Sequence, residues 1–443
     1  MRIVRRLANI VVMLLICNSV LLWALPVFPG VRTILYLLLT FAFLWINVSP
    51  ANGKDLPGRL RRLNNGCELL LLSSICGAVQ LFVCLWLGLQ SVTVFSTAAL
   101  VATLVISLIV CYGFSINGAS RIFLSSTQMA LWHRVAFFVL WLVPVVNTVV
   151  FMSVYGVANR ERNLLLAKLY RNRKRIAQQV CATRYPVLLV HGIFFRDWGP
   201  LNYWGRIPKE LEENGAVLHY GQQQSSAAIE VNAGQLKERI LQITTETGCE
   251  KVNIIAHSKG GLDARYAVSC LGAGPYVASL TTVNTPHRGC RFAKRALDGV
   301  PAGIVSSVSK NYNKIYKMLG DDQPDFFSGV SELTDVRCAE LNALMPDDPE
   351  VLYQSIGSCM RRSRSAIFPL NLGYRIVSAT DGENDGLVAV RSMPWGSFTM
   401  LQPRGRKGIS HADLIDLTRK DINGFDVCEF YVGLLQGLKE QGL

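Results

Sequence analysis

Hydrophobic and polar positions divide this chain into two unlike halves. Up to about residue 155, long apolar runs dominate: Leu7–Leu25, Thr33–Val48, Leu69–Leu89, Val92–Cys111 and Val135–Val154. Each approaches the roughly 20 residues a helix needs to cross a hydrocarbon core. The pattern predicts about five membrane spans in an all-α domain over residues 1–155, the second being short. The first run follows the basic start Met1–Arg6 but is long, lacks a small-x-small cleavage site and is followed by more apolar runs. It is therefore read as a span and not as a signal peptide. Glu68 and Arg134 sit at span ends, where polar heads reach water cheaply, so no charged transport path is indicated.

Beyond residue 155 the pattern changes. Over 156–182, basic residues alternate with Leu164, Leu165, Leu166, Leu169 and Ile176, which predicts a juxtamembrane helix lying on lipid headgroups. From 183 to 443, short apolar runs alternate with amphipathic ones. Strands are expected at Tyr185–Val190, Ala216–Tyr220, Lys251–Ala256, Tyr276–Asn284 and Tyr374–Ser378. Helices are expected at Tyr203–Asn214 and Ala233–Thr247, and again after Ser258. Alternating strands and helices imply an α/β domain with a mainly parallel sheet.

Composition sharpens this picture in two places. Half of the 443 residues are hydrophobic and only 17% are charged, yet the formal net charge is +14. No basic-aromatic nucleic-acid motif accompanies that charge, so anionic lipid is the better partner and nucleic acid is not expected. The twelve cysteines form no CxxC pair, which argues against a zinc or disulfide framework. Basic residues at Arg2–Arg6 and at Lys54–Arg62 favour a cytoplasmic N-terminus, whereas the basic stretch after the last span points the other way. Long domains translocate largely regardless of charge, so the second half is expected on the extracytoplasmic side of a multi-pass membrane protein.

The chemistry centres on Lys251–Tyr266. An apolar strand runs into Ala256-His257-Ser258-Lys259-Gly260, and a helix follows. Small residues two before and two after a serine, between a strand and a helix, are the pattern of a nucleophile elbow. Such a turn lifts the hydroxyl of Ser258 clear of the sheet and aims the backbone N–H of Lys259 at a reacting carbonyl. Upstream, the strand Tyr185–Val190 ends in His191-Gly192-Ile193-Phe194, which offers the N–H of Ile193 as a second oxyanion donor. Phe194, and with it Trp198, Tyr203 and Trp204, can line an apolar pocket, although plain core packing fits the last three as well. Six histidines are present, and a Ser–acid–His order leaves His411 as the base. The acid is sought in Asp381–Val388; Asp385 is the choice, with Asp381 and Glu383 as the alternatives.

Taken together, Tyr185–Gly192, Lys251–Arg265, Thr285–Gly289, Leu333–Ala343, Tyr353–Ile356, Asn384–Val388 and His411–Asp413 resemble the bacterial true lipases of the Pseudomonas and Burkholderia type. The resemblance covers nearly all of 185–443 and none of the membrane part. It implies an α/β-hydrolase fold, a serine nucleophile, carboxylic-ester substrates and a lid, for which about 291–330 is the matching insertion. Phe326 and Phe327 would be its lipid-facing residues. The resemblance also implies a structural calcium ion. Asp413 stands at one ligand's offset, but no second aspartate is placed in Val351–Gly373. The elbow departs from the usual pattern in opening with Ala256. The expectation is thus a membrane-anchored esterase or lipase of the triacylglycerol-lipase kind, acting through Ser258, Asp385 and His411, needing no organic cofactor and meeting its lipid ester at the bilayer. An acyltransferase on the same triad and an inert membrane scaffold are the alternatives. Oligomeric state is not legible.

Overall fold

A computed structural model describes residues 2–23, 28–51, 53, 55–89, 96–140, 146–193, 202–224, 226–291, 326–402, 406–422 and 424–443. The chain divides into two compact units, Met1–Arg171 and Asn172–Leu443. The division falls inside the stretch expected to be a linker.

The first unit is helical: α1 (Arg2–Cys17), α2 (Ser19–Trp23), α3 (Pro29–Val48), α4 (Gly58–Leu89), α5 (Thr97–Phe123), α6 (Leu131–Leu140) and α7 (Val146–Arg175). Among the described residues, three helices are long and apolar enough to cross a membrane, Pro29–Val48, Gly58–Leu87 and Thr97–Phe123. They cover the second, third and fourth of the expected runs, and the first and last runs are each divided between two helices. The first apolar run breaks at Asn18, whose side-chain amide donates to the Leu14 carbonyl and to Gln80. The last run is divided between α6 and α7, and Pro144, which cannot donate a backbone hydrogen bond, lies between them in the sequence. The basic stretch after it is no separate helix but the end of α7, closed by a short 3-10 turn at Ile176–Gln178.

Helices α4 and α5 cross where Gly66 meets Gly118. A Cβ at Gly66 would stand 2.8 Å from the Gly118 carbonyl oxygen, so only small residues allow this approach. Hydrogen bonds between Ser115 and Ser73 and an ion pair between Arg6 and Glu68 supplement the packing. Glu68 is buried and paired, and does not reach out to water as its position at a span end suggested.

The second unit is a six-stranded parallel sheet: β1 (Val187–Val190), β2 (Leu218–Tyr220), β3 (Val252–His257), β4 (Val277–Val283), β5 (Leu352–Ser358) and β6 (Ser397–Leu401), in the order β2-β1-β3-β4-β5-β6. Alternate residues serve opposite faces, as a strand period of two requires. Val187, Leu189, Ile255, Val283 and Ile356 pack on α8 (Ile207–Glu213) and on α14 (Val427–Glu440), with Trp204 among them. Leu188, Val190, Ile254, Ala256 and Leu280 pack on α9 (Ile229–Thr247) and α10 (Lys259–Cys270). With both faces covered, the strands read as near-continuous apolar runs. The remaining helices are α11 (Phe326–Ser331), α12 (Asp335–Leu344) and α13 (Leu370–Asp381).

One expected strand is wrong. Tyr374–Ser378 lies within helix α13. Its buried positions are Leu370, Gly373 and Val377, a helical spacing that the β-branched pair Ile376-Val377 masks. The strands at that side of the sheet are β5 and β6 instead.

Candidate active site

The elbow forms at the carboxyl end of β3. Ser258 joins β3 to α10 with φ 55° and ψ −130°, outside the regions an L-residue prefers. Strain of this kind costs on the order of 1–3 kcal/mol and persists only where the surroundings over-determine it. Here they do. Backbone bonds run from the Ser258 N–H to the Val283 carbonyl and from Gly261 N–H to the Ser258 carbonyl, which also accepts from Thr285 Oγ1 at 2.8 Å. A Cβ at Gly260 would strike the His191 carbonyl oxygen, and one at Gly261 would strike Thr285 Oγ1. These glycines let the turn close against the end of β1.

That contact brings the His-Gly turn to the serine. A Cβ at Gly192 would lie 2.9 Å from Ser258 Cβ and 2.8 Å from the Tyr203 hydroxyl. Ile193 follows directly, and Lys259 opens α10, whose first amides have no acceptor within the helix. Both expected oxyanion donors thus flank Ser258. Phe194 and Trp198 lie outside the described residues, as does 292–325 of the expected lid. Phe326 and Phe327 begin α11, of which only the backbone is described there.

The acid and the histidine meet. His411 Nδ1 donates to Asp385 Oδ2 at 2.6 Å, and the His411 backbone N–H donates to the Asp385 carbonyl at 2.8 Å. The other carboxylate oxygen of Asp385 accepts from the N–H groups of Leu387 (2.9 Å) and Val388 (2.7 Å). Asp385 is fully buried, so these three donors replace its hydration. The neighbouring Asn384 shapes the loop: its amide oxygen accepts from Gly386 N–H, and its NH2 donates to Ser378 Oγ and the Gly382 carbonyl. The two alternative acids point elsewhere. Asp381 pairs with Arg391, and Glu383 is exposed. The His411 ring lies 4.5 Å, centre to centre, from the ring of His257, which sets it beside the elbow.

The other histidines are structural. His257 Nδ1 meets the Tyr203 hydroxyl at 2.7 Å, and the same oxygen accepts the Gly192 N–H at 3.0 Å. Tyr203, a candidate pocket residue, thus ties the elbow to the His-Gly turn. Burial and the nearby His411 push the His257 pKa well below its ordinary 6.5, so its ring is neutral. His287 is lowered in the same direction by burial and by the cations Arg265 and Arg288. Lys259 directs its ammonium into the protein, 2.6 Å from Asp263, which also accepts from Asn232. Burial raises the Asp263 pKa to about 6, with Lys259 and Asn232 opposing. The tie made by Tyr203, the loop bonds of Asn384 and the Lys259–Asp263 pair escaped sequence reasoning, although the residues lie in or beside the stretches it singled out.

Asp413, the expected calcium ligand, is engaged within its own loop through one carboxylate oxygen. Its carboxylate accepts from the N–H and hydroxyl of Ser410, at 2.8 and 2.7 Å. The adjacent Asp416 is bound through both oxygens to the Arg206 guanidinium, whose charge already answers it. A calcium ion takes six to eight oxygens, backbone carbonyls and waters among them; among the described residues no group of three or more His, Cys, Asp or Glu side chains gathers at one place.

Sheet order, elbow and acid–histidine pair together define an α/β hydrolase. Sequence comparison narrows the class. Residues 187–322 match the family described as putative serine esterase (DUF676). The chain is 34% identical over 183 residues to a triacylglycerol lipase of Pseudarthrobacter phenanthrenivorans, covering 38% of this chain and 56% of that one. A triacylglycerol lipase of Burkholderia plantarii is likewise 34% identical over 183 residues, covering 38% of this chain and 50% of the relative. The chain therefore spans about half the length of these curated relatives. Among solved structures, a lipase of Bacillus licheniformis aligns with 57% of this chain and 92% of its own at 20% identity and a TM-score of 0.43. The family match lies within the sheet unit, in keeping with the lipase resemblance read from its motifs.

Proposed function

We propose that this chain is a membrane-anchored serine hydrolase that cleaves carboxylic esters of lipids through an acyl-enzyme. The observation that supports this most is the strained Ser258 turn, set against the His-Gly turn and beside a histidine held by a buried carboxylate. Ser258 Oγ attacks the ester carbonyl while His411 Nε2 takes its proton. Asp385 keeps Nδ1 protonated and stabilises the imidazolium. The N–H groups of Ile193 and Lys259 receive the oxyanion, and each such donor is worth about 3–4 kcal/mol in the transition state. Collapse expels the alcohol, which takes the proton from His411. Water then repeats the sequence on the acyl-enzyme, releasing the acid and restoring Ser258. Each proton transfer has a side chain assigned to it, so the cycle requires no cofactor. The relatives named as triacylglycerol lipases favour lipid esters, and the three long apolar helices favour a membrane setting.

The test uses the full chain in detergent. A fluorophosphonate probe should label the wild type and not Ser258→Ala, and Ser258→Ala should lose hydrolysis of both p-nitrophenyl esters and diacylglycerol. Labelling that survives the substitution would remove Ser258 as nucleophile. Labelling without ester hydrolysis, with acyl transfer to an added alcohol, would replace the hydrolase with an acyltransferase.

A further inference from the structure

Among the described residues of the sheet unit, exposed large apolar side chains cluster most densely at one place. Ile367, Phe368, Leu372 and Ile376 are 66%, 73%, 51% and 44% exposed, all within ten residues. Leu372 and Ile376 share a face of α13, four residues apart. The helix cannot turn this stripe inward, because its other face is already used. Leu370, Gly373 and Val377 are buried, and a Cβ at Gly373 would strike the Gly386 carbonyl of the Asp385 loop. A helix that is apolar on both sides wants an apolar environment on both.

Charge indicates what that environment is. From Val351 to Thr380 there is no acidic residue. Arg362, Arg364 and Arg375 are exposed beside the apolar stripe. A bridge between Met360 and Gly408 brings the exposed Arg406 and Lys407 to the same edge. Aromatic and aliphatic side chains rimmed by arginine and lysine are the composition of a surface that sits at the headgroup level of a membrane. A protein groove would offer the apolar contact, but a rim in which exposed Arg362, Arg364, Arg375, Arg406 and Lys407 outnumber the exposed Glu383, with Asp381 already paired to Arg391, is complementary to an anionic surface.

We propose that α13 and the loop before it form a docking surface for an anionic lipid bilayer. The apolar side chains enter the acyl boundary and the arginines hold the headgroups. The surface lies on the helix that seats the Asp385 loop, so docking brings the Ser258 site to the bilayer from which a lipid ester must come. The inference rests on the lipid-ester reading only for its effect on turnover.

The test reconstitutes the full chain in nanodiscs of phosphatidylcholine alone or mixed with phosphatidylglycerol, with Phe368 replaced by p-benzoylphenylalanine. Irradiation should give a lipid adduct, enriched by phosphatidylglycerol and diminished by salt. Each arginine near the surface is worth roughly fivefold in association, so Arg362→Glu with Arg364→Glu and Arg375→Glu should abolish the phosphatidylglycerol enrichment. Ile367→Ser with Phe368→Ser and Leu372→Ser should lower turnover of a bilayer-resident diacylglycerol about tenfold, as loss of interfacial apolar area predicts, and leave hydrolysis of soluble p-nitrophenyl butyrate unchanged. A protein adduct at position 368, within the chain or to a second copy, would overturn the proposal. So would equal adduct yield in both lipids, or equal loss on both substrates. If the wild type fails to take the fluorophosphonate probe, the hydrolase reading falls, whereas the lipid adduct still decides the docking surface.

Discussion

Asp385→Asn gives the sharpest test of the proposed triad, because the structure dictates which way the new amide must point. One carboxylate oxygen of Asp385 accepts two backbone N–H groups, at 2.9 and 2.7 Å, and the other accepts His411 Nδ1–H at 2.6 Å. In asparagine one of these oxygens becomes NH2. Turning the NH2 toward Leu387 and Val388 would set donors against two buried donors, leaving each unsatisfied at about 1–3 kcal/mol. The NH2 must therefore face His411. A donor there makes Nδ1 the acceptor and places the imidazole proton on Nε2, the atom that has to receive the Ser258 proton. The fold survives, since shape and loop hydrogen bonds are kept, but the base is in the wrong tautomer. Loss of this kind is about 10⁴-fold in kcat, or about 5.4 kcal/mol of transition-state stabilisation. The assay is kcat/KM on a soluble p-nitrophenyl ester, the rate of fluorophosphonate labelling and the melting midpoint, all on the full chain. A variant that melts with the wild type and retains activity within tenfold would refute the assignment of Asp385 to His411.

Four further outcomes are expected. Gly192→Ala places a Cβ 2.9 Å from Ser258 Cβ and 2.8 Å from the Tyr203 hydroxyl; labelling should fall at least about 100-fold, as loss of oxyanion geometry requires, and wild-type labelling would show that the turn does not abut the nucleophile. Asn384→Ala removes four side-chain hydrogen bonds from the acid loop, the one from Gly386 N–H buried, and should cost about 2–4 kcal/mol in denaturant unfolding. His257 and His287 are held neutral with pKa values lowered from 6.5, so their native environment contributes stability that is complete above 6.5 and lost as pH falls. By pH 5.5 the two together should remove about 2–3 kcal/mol, Asp263 opposing only below about 6; a melting midpoint that rises on acidification from pH 7 to 5.5 would contradict this. Treatment with EDTA should leave activity unchanged, since Asp413 and Asp416 are satisfied by Ser410 and Arg206; loss restored by calcium would reveal a site not built from these groups.

The parts of the molecule legible in sequence were those where local chemistry leaves one solution. Ala256, Gly260 and Gly261 flank a serine between an apolar strand and a helix, and little other than a tight turn accommodates that spacing. The buried strands β1, β3 and β4 announce themselves because both faces are covered and nearly every residue is apolar or small, Asn253 and His257 excepted. The sheet edge was harder. Strand β6 is partly exposed, mixes polar with apolar residues and has no period to distinguish it from a loop. The misread helix α13 fails for the opposite reason: it is apolar on two sides, so its period of 3.6 is blurred into a short apolar run. Tyr203 was out of reach because its partners lie 11 and 54 residues away, and the role of Asn384 because a loop amide does not announce which neighbouring groups it bonds. A hydroxyl shared by Gly192 and His257, or an amide that ties a loop to the helix before it, leaves no local trace. In the helical unit, hydropathy finds apolar length but not where one helix is divided from the next, as at Asn18, whose side chain caps the Leu14 carbonyl.

What separates the proposed base, His411, from its neighbours is partner charge more than position. His257 is adjacent in sequence to the proposed nucleophile and its ring lies against His411. It is nevertheless unsuited to take a proton: its Nδ1 faces a neutral tyrosine hydroxyl, and burial holds the cationic form out of reach. His287 is worse placed, with the Arg265 guanidinium at its Nδ1. His411 has the reverse environment, a buried carboxylate on Nδ1 that stabilises the charge the ring would gain. The neutral His257 is useful for the same reason that it cannot act. A second cation beside His411 would disfavour the imidazolium, whereas a neutral ring packs against it without opposing its charge. Replacing His257 by lysine should therefore abolish labelling even where the chain still folds, whereas glutamine, uncharged and able to accept the Tyr203 hydroxyl, should keep most of it.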